Sequence, residues 1–180
     1  MALVALPSGI HIAVAVGLSG SAWCSGAIMA CSYVAGDALL DPSLPASATA
    51  HASSIWENFY TRGRNANPPI ALLTAASFAY AAYYLPNPLS IQSIHNTRSL
   101  LAIAGLLTIS IVPYTFLVMW STNGALHAKA AAVRERTKNG AETLLDDGTK
   151  ELLQKWNLLN FGRGTLPLLA TAVGIYAVFF

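Results

Sequence analysis

The sequence predicts an all-α fold, an integral membrane four-helix bundle, with an interfacial helix in the first loop and a cytosolic extension of the third helix. Three observations carry this expectation. Charged residues make up only 10% of the chain, against about 25% in soluble domains. Hydrophobic residues make up 54%. They gather in four runs, about 9–34, 69–85, 100–120 and 161–180, near the ~20 residues that a span requires. One domain over 1–180 holds all four. The net charge of +2 is too small to point to a nucleic-acid partner. No Lys or Arg precedes the first run, so it reads as a retained membrane helix rather than a cleaved signal.

The first run is rich in small residues. Gly17, Ser21 and Ser25 lie four apart, as do Ala22, Gly26 and Ala30, rows that let helix backbones approach closely in lipid. They suit packing on several sides or assembly of copies into a homo-oligomer. Cys24 and Cys31 are seven apart, roughly 10 Å along a helix, too far for a bridge within it. They read as small hydrophobes. Asp37, Asp41, Pro42 and Pro45 end the helix.

Loop one covers 35–68. In its later part Ile55, Trp56, Phe59 and Tyr60 make an aromatic helical face, as expected of a helix at headgroup depth. Gly63 and the Asn-Pro-Pro run should break it, with Pro69 in the first turn of span two. Tyr80, Tyr83 and Tyr84 mark an interface at the far end of that span. Pro86-Asn87-Pro88 turns the chain, and His95 and Arg98 lie in loop two. Pro113 should kink span three, because it lacks an N–H for the carbonyl four residues back. The alanine-rich, charged stretch from Ala125 to Lys138 continues span three into water. Asn139-Gly140 and Asp146-Asp147-Gly148-Thr149 are turn signals, with Thr149 a candidate N-cap. Leu152, Leu153, Trp156, Leu159 and Asn160 then share one side of a helix that runs through Arg163 and Pro167 to Phe180.

Loops one and three carry Arg62, Arg64, Lys129, Arg134, Arg136, Lys138, Lys150 and Lys155, with Arg163 at the flank of span four. Loop two offers only Arg98. Positive residues favour the cytosolic side, so loops one and three are expected there and both termini are expected to be lumenal. His11 and His95 then lie on the lumenal side. Spans two and three hold no interior acidic residue, which argues against an ion-coupled pump. Three segments should converge at the cytosolic face: Trp56–Tyr60, Thr122–His127 and Trp156–Arg163. Within the second, Thr115, Met119, Thr122 and Leu126 share a helix face, and Asn123 and His127 are surface neighbours.

These segments carry a resemblance. Trp56-x-x-Phe59-Tyr60-x-x-Gly63 with Pro68-Pro69, Pro113-x-Thr115-x-x-x-Met119-x-x-Thr122-Asn123-x-x-Leu126, and Trp156-x-x-Leu159-Asn160-x-x-Arg163 are similar, in order and spacing, to the anthrone oxygenase-like family of four-span membrane proteins. The resemblance implies oxidation of a polyketide anthrone to an anthraquinone in secondary metabolism, mostly fungal. It implies dioxygen as co-substrate, no cofactor, and an endoplasmic-reticulum-type or other endomembrane location. Partners are then an aromatic polyketide and membrane lipid. An enzyme of this fold that cyclises or couples a phenolic polyketide, and a non-enzymatic scaffold or transporter, are the alternatives.

The chemistry needs a base, a holder for the anion and a dry cavity. His127 is the first candidate base, since imidazole titrates near neutrality. His51 is the second, and neither belongs to the family pattern. Tyr60 could act instead, or serve as an interfacial belt residue. Arg163 fits either an enolate holder or a snorkelling anchor. Trp56, Phe59, Met119, Thr122, Asn123, Trp156 and Asn160 are candidates for substrate contact. The tryptophans fit an interfacial belt equally well, and the two amides fit helix–helix hydrogen bonds. Arg62 could pair with Glu57 or with lipid phosphate. His51, Glu57 and His127 form the only cytosolic set that could hold a metal, without ligand-like spacing, and no metal is expected. No flavin or nicotinamide glycine loop is present.

Overall fold

The computed structural model of the protein describes residues 7–45, 50–85, 91–140 and 147–179, with side chains from residues 97 and 148 onward in the last two segments. The described residues are mostly helical, with no strand among them. Helix α1 is Ser8–Ala30 and leads into a π-helical segment, Cys31–Gly36. Helix α2 is Ala52–Tyr84, α3 is Ile91–Ile109, α4 is Ile111–Leu117, α5 is Trp120–Lys138 and α6 is Asp147–Phe179. Three stretches are long and apolar enough to cross a membrane: Ser8–Gly36, Thr97–Leu117 and Gly148–Phe179. The stretch 69–85 falls outside that set, with two prolines near its head and Tyr80, Tyr83 and Tyr84 at its foot.

The chain divides into two compact units. One comprises Met1–Gly26, Ala66–Val112 and Gly164–Phe180. Its core is built on Phe78, buried among Ile10, Val14, Ala81, Leu101, Ala104 and Ala170. The small residues earn their place here. A Cβ at Gly17 would lie 2.7 Å from the Phe78 ring, and one at Gly174 would lie 3.1 Å from it. Gly20 leaves room for Thr74. Ser21 of the same row shares a hydrogen bond of 2.8 Å with Thr171. The second row differs, because nothing stands over Gly26 and Ala22 is exposed. Arg98 donates to the carbonyl of Leu85, just past the end of α2, and satisfies a group that the helix leaves unpaired. His11 belongs to this unit, while the side chain of His95 lies outside the described residues.

The other unit comprises Ala27–Asn65 and Pro113–Arg163. Its core joins Leu39, Ala52, Trp56, Tyr60, Met119, Leu126, Leu153 and Trp156. In the π-helical segment the Asp37 N–H reaches the Ser32 carbonyl, five residues back. Such widened turns recur at functional sites. Gly36 closes against the Asn157 amide, where any Cβ would overlap. The chain then leaves the helix through Asp41, whose carboxylate accepts from both the N–H and the hydroxyl of Ser43. Cys24 and Cys31 are free thiols, the first fully buried and the second half-buried.

Four local expectations are corrected. Helix α2 does not break at Gly63 or at Pro68-Pro69 but runs through them for 33 residues. Each proline removes one i→i−4 bond, and the remaining ladder carries the helix past the gap. The third apolar run does not pass unbroken into the charged stretch. It stops after Ile109, whose carbonyl has no N–H from Pro113 to receive, and the Ser110 hydroxyl turns back to Leu107 at 2.6 Å. It stops again at Met119 (φ −99°, ψ −6°), which leaves Met119 buried while Leu117 and Val118 face outward. Thr149 is no N-cap, because α6 has already begun at Asp147. Asp146, earlier in that turn signal, lies outside the described residues. The Asn139-Gly140 turn stands as expected. Gly140 takes φ +65°, and its N–H and that of Asn139 close onto the last carbonyls of α5.

Gly17→Ala should therefore push a methyl into the buried Phe78 ring. A loss of about 1–3 kcal/mol is expected, read as a lower thermal unfolding midpoint in detergent.

Candidate active site

Helical spacing delivers the site residues. Trp56, Phe59 and Tyr60 of α2 recur at three and four, as do Asn123, His127, Ala130 and Arg134 of α5, and Trp156, Asn160 and Arg163 of α6. All belong to one unit, so the expected convergence of the three segments is observed. Trp56 is fully buried. Its ring stacks on Tyr60 (centroids 4.8 Å, 19°) and meets His127 (5.1 Å) and Trp156 (5.8 Å) edge-on. Tyr60 meets His127 edge-on at 5.3 Å, and Phe59 meets Trp156 at 5.7 Å.

Amides link the aromatics. The Asn123 Nδ2 group donates to the Tyr60 hydroxyl at 3.2 Å, and Trp156 Nε1–H donates to Asn123 Oδ1 at 3.0 Å. Asn160 is fully buried and fully used. Its Nδ2 group donates to the Ile28 carbonyl and to Ser32 Oγ, each at 2.8 Å, and its Oδ1 accepts from Arg163 at 2.6 Å. Arg163 also donates to Thr115 Oγ1 at 2.9 Å. Among the described residues it has no carboxylate partner. The groups that interact with it electrostatically are Tyr60, Cys31 and Tyr114. A buried cation that lacks an anion is costly, and helix-borne cations in apolar surroundings mark sites for anions or interfaces. Its Nε has no hydrogen-bond partner, nor do the buried Trp56 Nε1 and Thr122 Oγ1.

His127 sits at the edge of this cluster, its side chain 35% exposed. Nδ1 lies 2.8 Å from Oε1 of Glu57, whose other oxygen accepts from Arg134. Glu57 does not pair with Arg62. Residues five apart on a helix point roughly 140° apart, and Arg62 is exposed. Burial, and then the Arg64 guanidinium, push the His127 pKa below its ordinary 6.5. Both effects favour the neutral ring at pH 7, against the pull of the Glu57 carboxylate. Because the folded pKa is the lower one, this contribution to stability is intact above pH 6.5 and is lost as pH falls through the lowered value.

His51 stands apart in role. It occupies the turn before α2, where its carbonyl accepts from the N–H groups of Ser54 and Ile55 at 3.0 Å each. Among the described residues no three His, Cys, Asp or Glu side chains gather closely enough to hold a metal ion. Sequence reasoning missed Arg134, Tyr114, Cys31 and Ser32. Arg134 alone had a signal, since it continues the row of Asn123, His127 and Ala130.

The fold and site define a class: an all-helical protein with helices of membrane-spanning length and a buried aromatic-amide centre, bordered by an imidazole–carboxylate pair and an uncompensated guanidinium. The model of the anthrone oxygenase family matches residues 56–173, and the chain belongs to that family. The matched span starts at Trp56 and encloses every candidate residue except His51. An anthrone oxygenase of Aspergillus fumigatus, encC, is 32% identical over 172 residues, covering 92% of this chain and 91% of that protein. An anthrone oxygenase of Claviceps purpurea is 30% identical over 176 residues, 96% and 90% of the two chains. A noranthrone monooxygenase of Aspergillus flavus is 33% identical over 124 residues, 68% of this chain and 54% of that one. No solved structure matches.

Arg64→Ala should move the His127 titration midpoint up toward 6.5. Arg64 is exposed, so the displacement should shrink as salt is added. Proton titration of the imidazole by NMR at two ionic strengths checks both.

Proposed function

We propose that the protein is a membrane-embedded oxygenase that converts a polyketide anthrone into the anthraquinone in secondary metabolite biosynthesis, with dioxygen as co-substrate and no bound cofactor. The observation that carries the reading is the family match over 56–173, which encloses a neutral histidine and a buried guanidinium that both approach Tyr60.

The methylene of an anthrone lies between two aromatic rings and opposite a carbonyl. In the proposed mechanism Nε2 of His127 takes one methylene proton. The carbanion's charge spreads onto the ring oxygen, where Arg163 stabilises it. The electron-rich anion passes one electron to dioxygen, and recombination of the radical with superoxide forms a carbon–oxygen bond. The imidazolium returns its proton to give the hydroperoxide. His127 then removes the second proton from the same carbon as the O–O bond breaks. Hydroxide leaves with that proton as water. Anthrone and dioxygen are consumed one to one, and quinone and water appear one to one. Tyr60 and Asn123 would contact the ring system, and Trp56, Phe59, Met119, Thr122 and Trp156 would supply the surrounding apolar and polar contacts. Asn160 fixes Arg163. His51 is a second candidate proton acceptor.

The four-span arrangement belongs to the same proposal, with loops one and three cytosolic and the termini lumenal in an endomembrane. Leu72 and Leu73 in the second half of α2 are over 60% exposed, which supports a lipid-facing surface there. A flat, poorly soluble substrate would partition to such a protein from the bilayer.

The test is purified, chelator-stripped protein supplied with an anthrone and dioxygen. One oxygen consumed per quinone formed, well above the spontaneous rate, is expected. His127→Ala should lower kcat about 10²–10⁴-fold, and Arg163→Gln should lower it by a comparable factor. Substrate loss without oxygen uptake would redirect the reading to cyclisation or coupling. An absence of turnover would leave a scaffold or transporter.

A further inference from the structure

We propose that Glu57 is the positioning residue for His127, and that Arg134 sets how much negative charge Glu57 presents to the imidazole. The three residues, from α2 and α5, form one proton-accepting unit. The proposal rests on the anthrone reading only for what the proton is taken from.

A neutral imidazole has one N–H and one lone pair, and its partner decides which nitrogen carries which. An ionised carboxylate can only accept. At 2.8 Å from Oε1 of Glu57, Nδ1 therefore carries the hydrogen and the lone pair is left on Nε2. Among the described residues Nε2 makes no hydrogen bond. The Trp56 and Tyr60 rings, inclined to it at 67° and 74°, fix the ring plane. The tautomer and the aim of the base thus follow from one contact.

That contact has an electrostatic cost. An unshared carboxylate beside His127 would favour the imidazolium, which is no base. Arg134 donates to Glu57 Oε2 and offsets that charge while leaving Oε1 available. The titratable and charged groups facing the ring are Glu57, Tyr60 and Arg64 from α2, with Arg134 acting from its own helix through Glu57. Arg134 is 52% exposed, so the ion pair adds little to stability. Its effect on proton affinity is what distinguishes it from an ordinary surface pair.

The experiment follows the His127 imidazole by ¹⁵N NMR in the full-length protein in lipid nanodiscs, beside the pH profile of anthrone oxidation. Glu57→Gln keeps the shape and removes the charge. It should lower the titration midpoint, shift the tautomer balance away from Nδ1–H, and reduce kcat about 10–100-fold at unchanged KM. Arg134→Ala should raise the midpoint. Arg134→Ala in the Glu57→Gln background should move nothing further, because its influence runs through Glu57. Midpoints that stay put, or that move in the same direction in both single variants, overturn the proposal. So does an Arg134→Ala shift that persists without the carboxylate. If Glu57→Gln fails to fold, Arg134→Ala decides alone: an upward shift supports the proposal and no shift overturns it. Imidazole shifts as expected with no anthrone turnover would sink the substrate reading and leave the proton-accepting unit standing.

Discussion

A guanidinium buried among helices must be held by neutral groups when no carboxylate is offered, and the organisation of the site follows from that demand. Arg163 is held by Thr115 and by Asn160. Asn160 can hold it only because its own amide group is anchored elsewhere, on the Ile28 carbonyl and on Ser32. One buried amide thus ties the end of α1 to α6 and fixes the position of a positive charge. Each of these bonds is modest alone, on the order of 1 kcal/mol net. Leaving any one of these buried groups unmade would cost more. The charge remains unneutralised and its Nε unpartnered, an arrangement suited to a transient oxyanion.

The second charged centre follows the opposite rule. Beside His127 the Glu57 carboxylate is shared with Arg134, and the Arg64 guanidinium also disfavours a charged ring. A base must stay neutral, and an anion holder must stay charged. Tyr60 lies between the two centres, stacked on Trp56, bonded by Asn123 and within electrostatic reach of Arg163. The aromatic packing that buries it also excludes water, which strengthens both effects.

Much of the site could be read from periodicity. Trp56 with Tyr60, Asn123 with His127, and Trp156 with Asn160 and Arg163 each occupy one helical face, and the positive-inside count expects their loops on one side. Apolar length likewise exposes the first, third and fourth long helices. Cross-helix pairing is what spacing cannot supply. Glu57 has Arg62 near it in sequence, yet its partner in space is Arg134, 77 residues away. Tyr114 and Cys31 reach Arg163 from distant parts of the chain for the same reason. Backbone continuity was misjudged where local rules conflict. Pro68-Pro69 signals a break, but α2 runs through it, whereas the single Pro113 does accompany one at Ile109. Thr149 carries the chemistry of a cap, but the helix starts ahead of it.

The meeting of Trp56 and Trp156 gives the protein an optical property. Of its four tryptophans, this pair is sealed inside, while Trp23 and Trp120 are exposed. The inner pair sits in a packed aromatic cluster, while Trp23 faces outward from the apolar stretch Ser8–Gly36. Quinones are electron-poor and quench excited indole at close range. A quinone retained beside the inner pair would dim those two indoles first, and its departure would restore that light. Residence of the oxidised molecule on the protein is thus open to direct reading by fluorescence, without any added label.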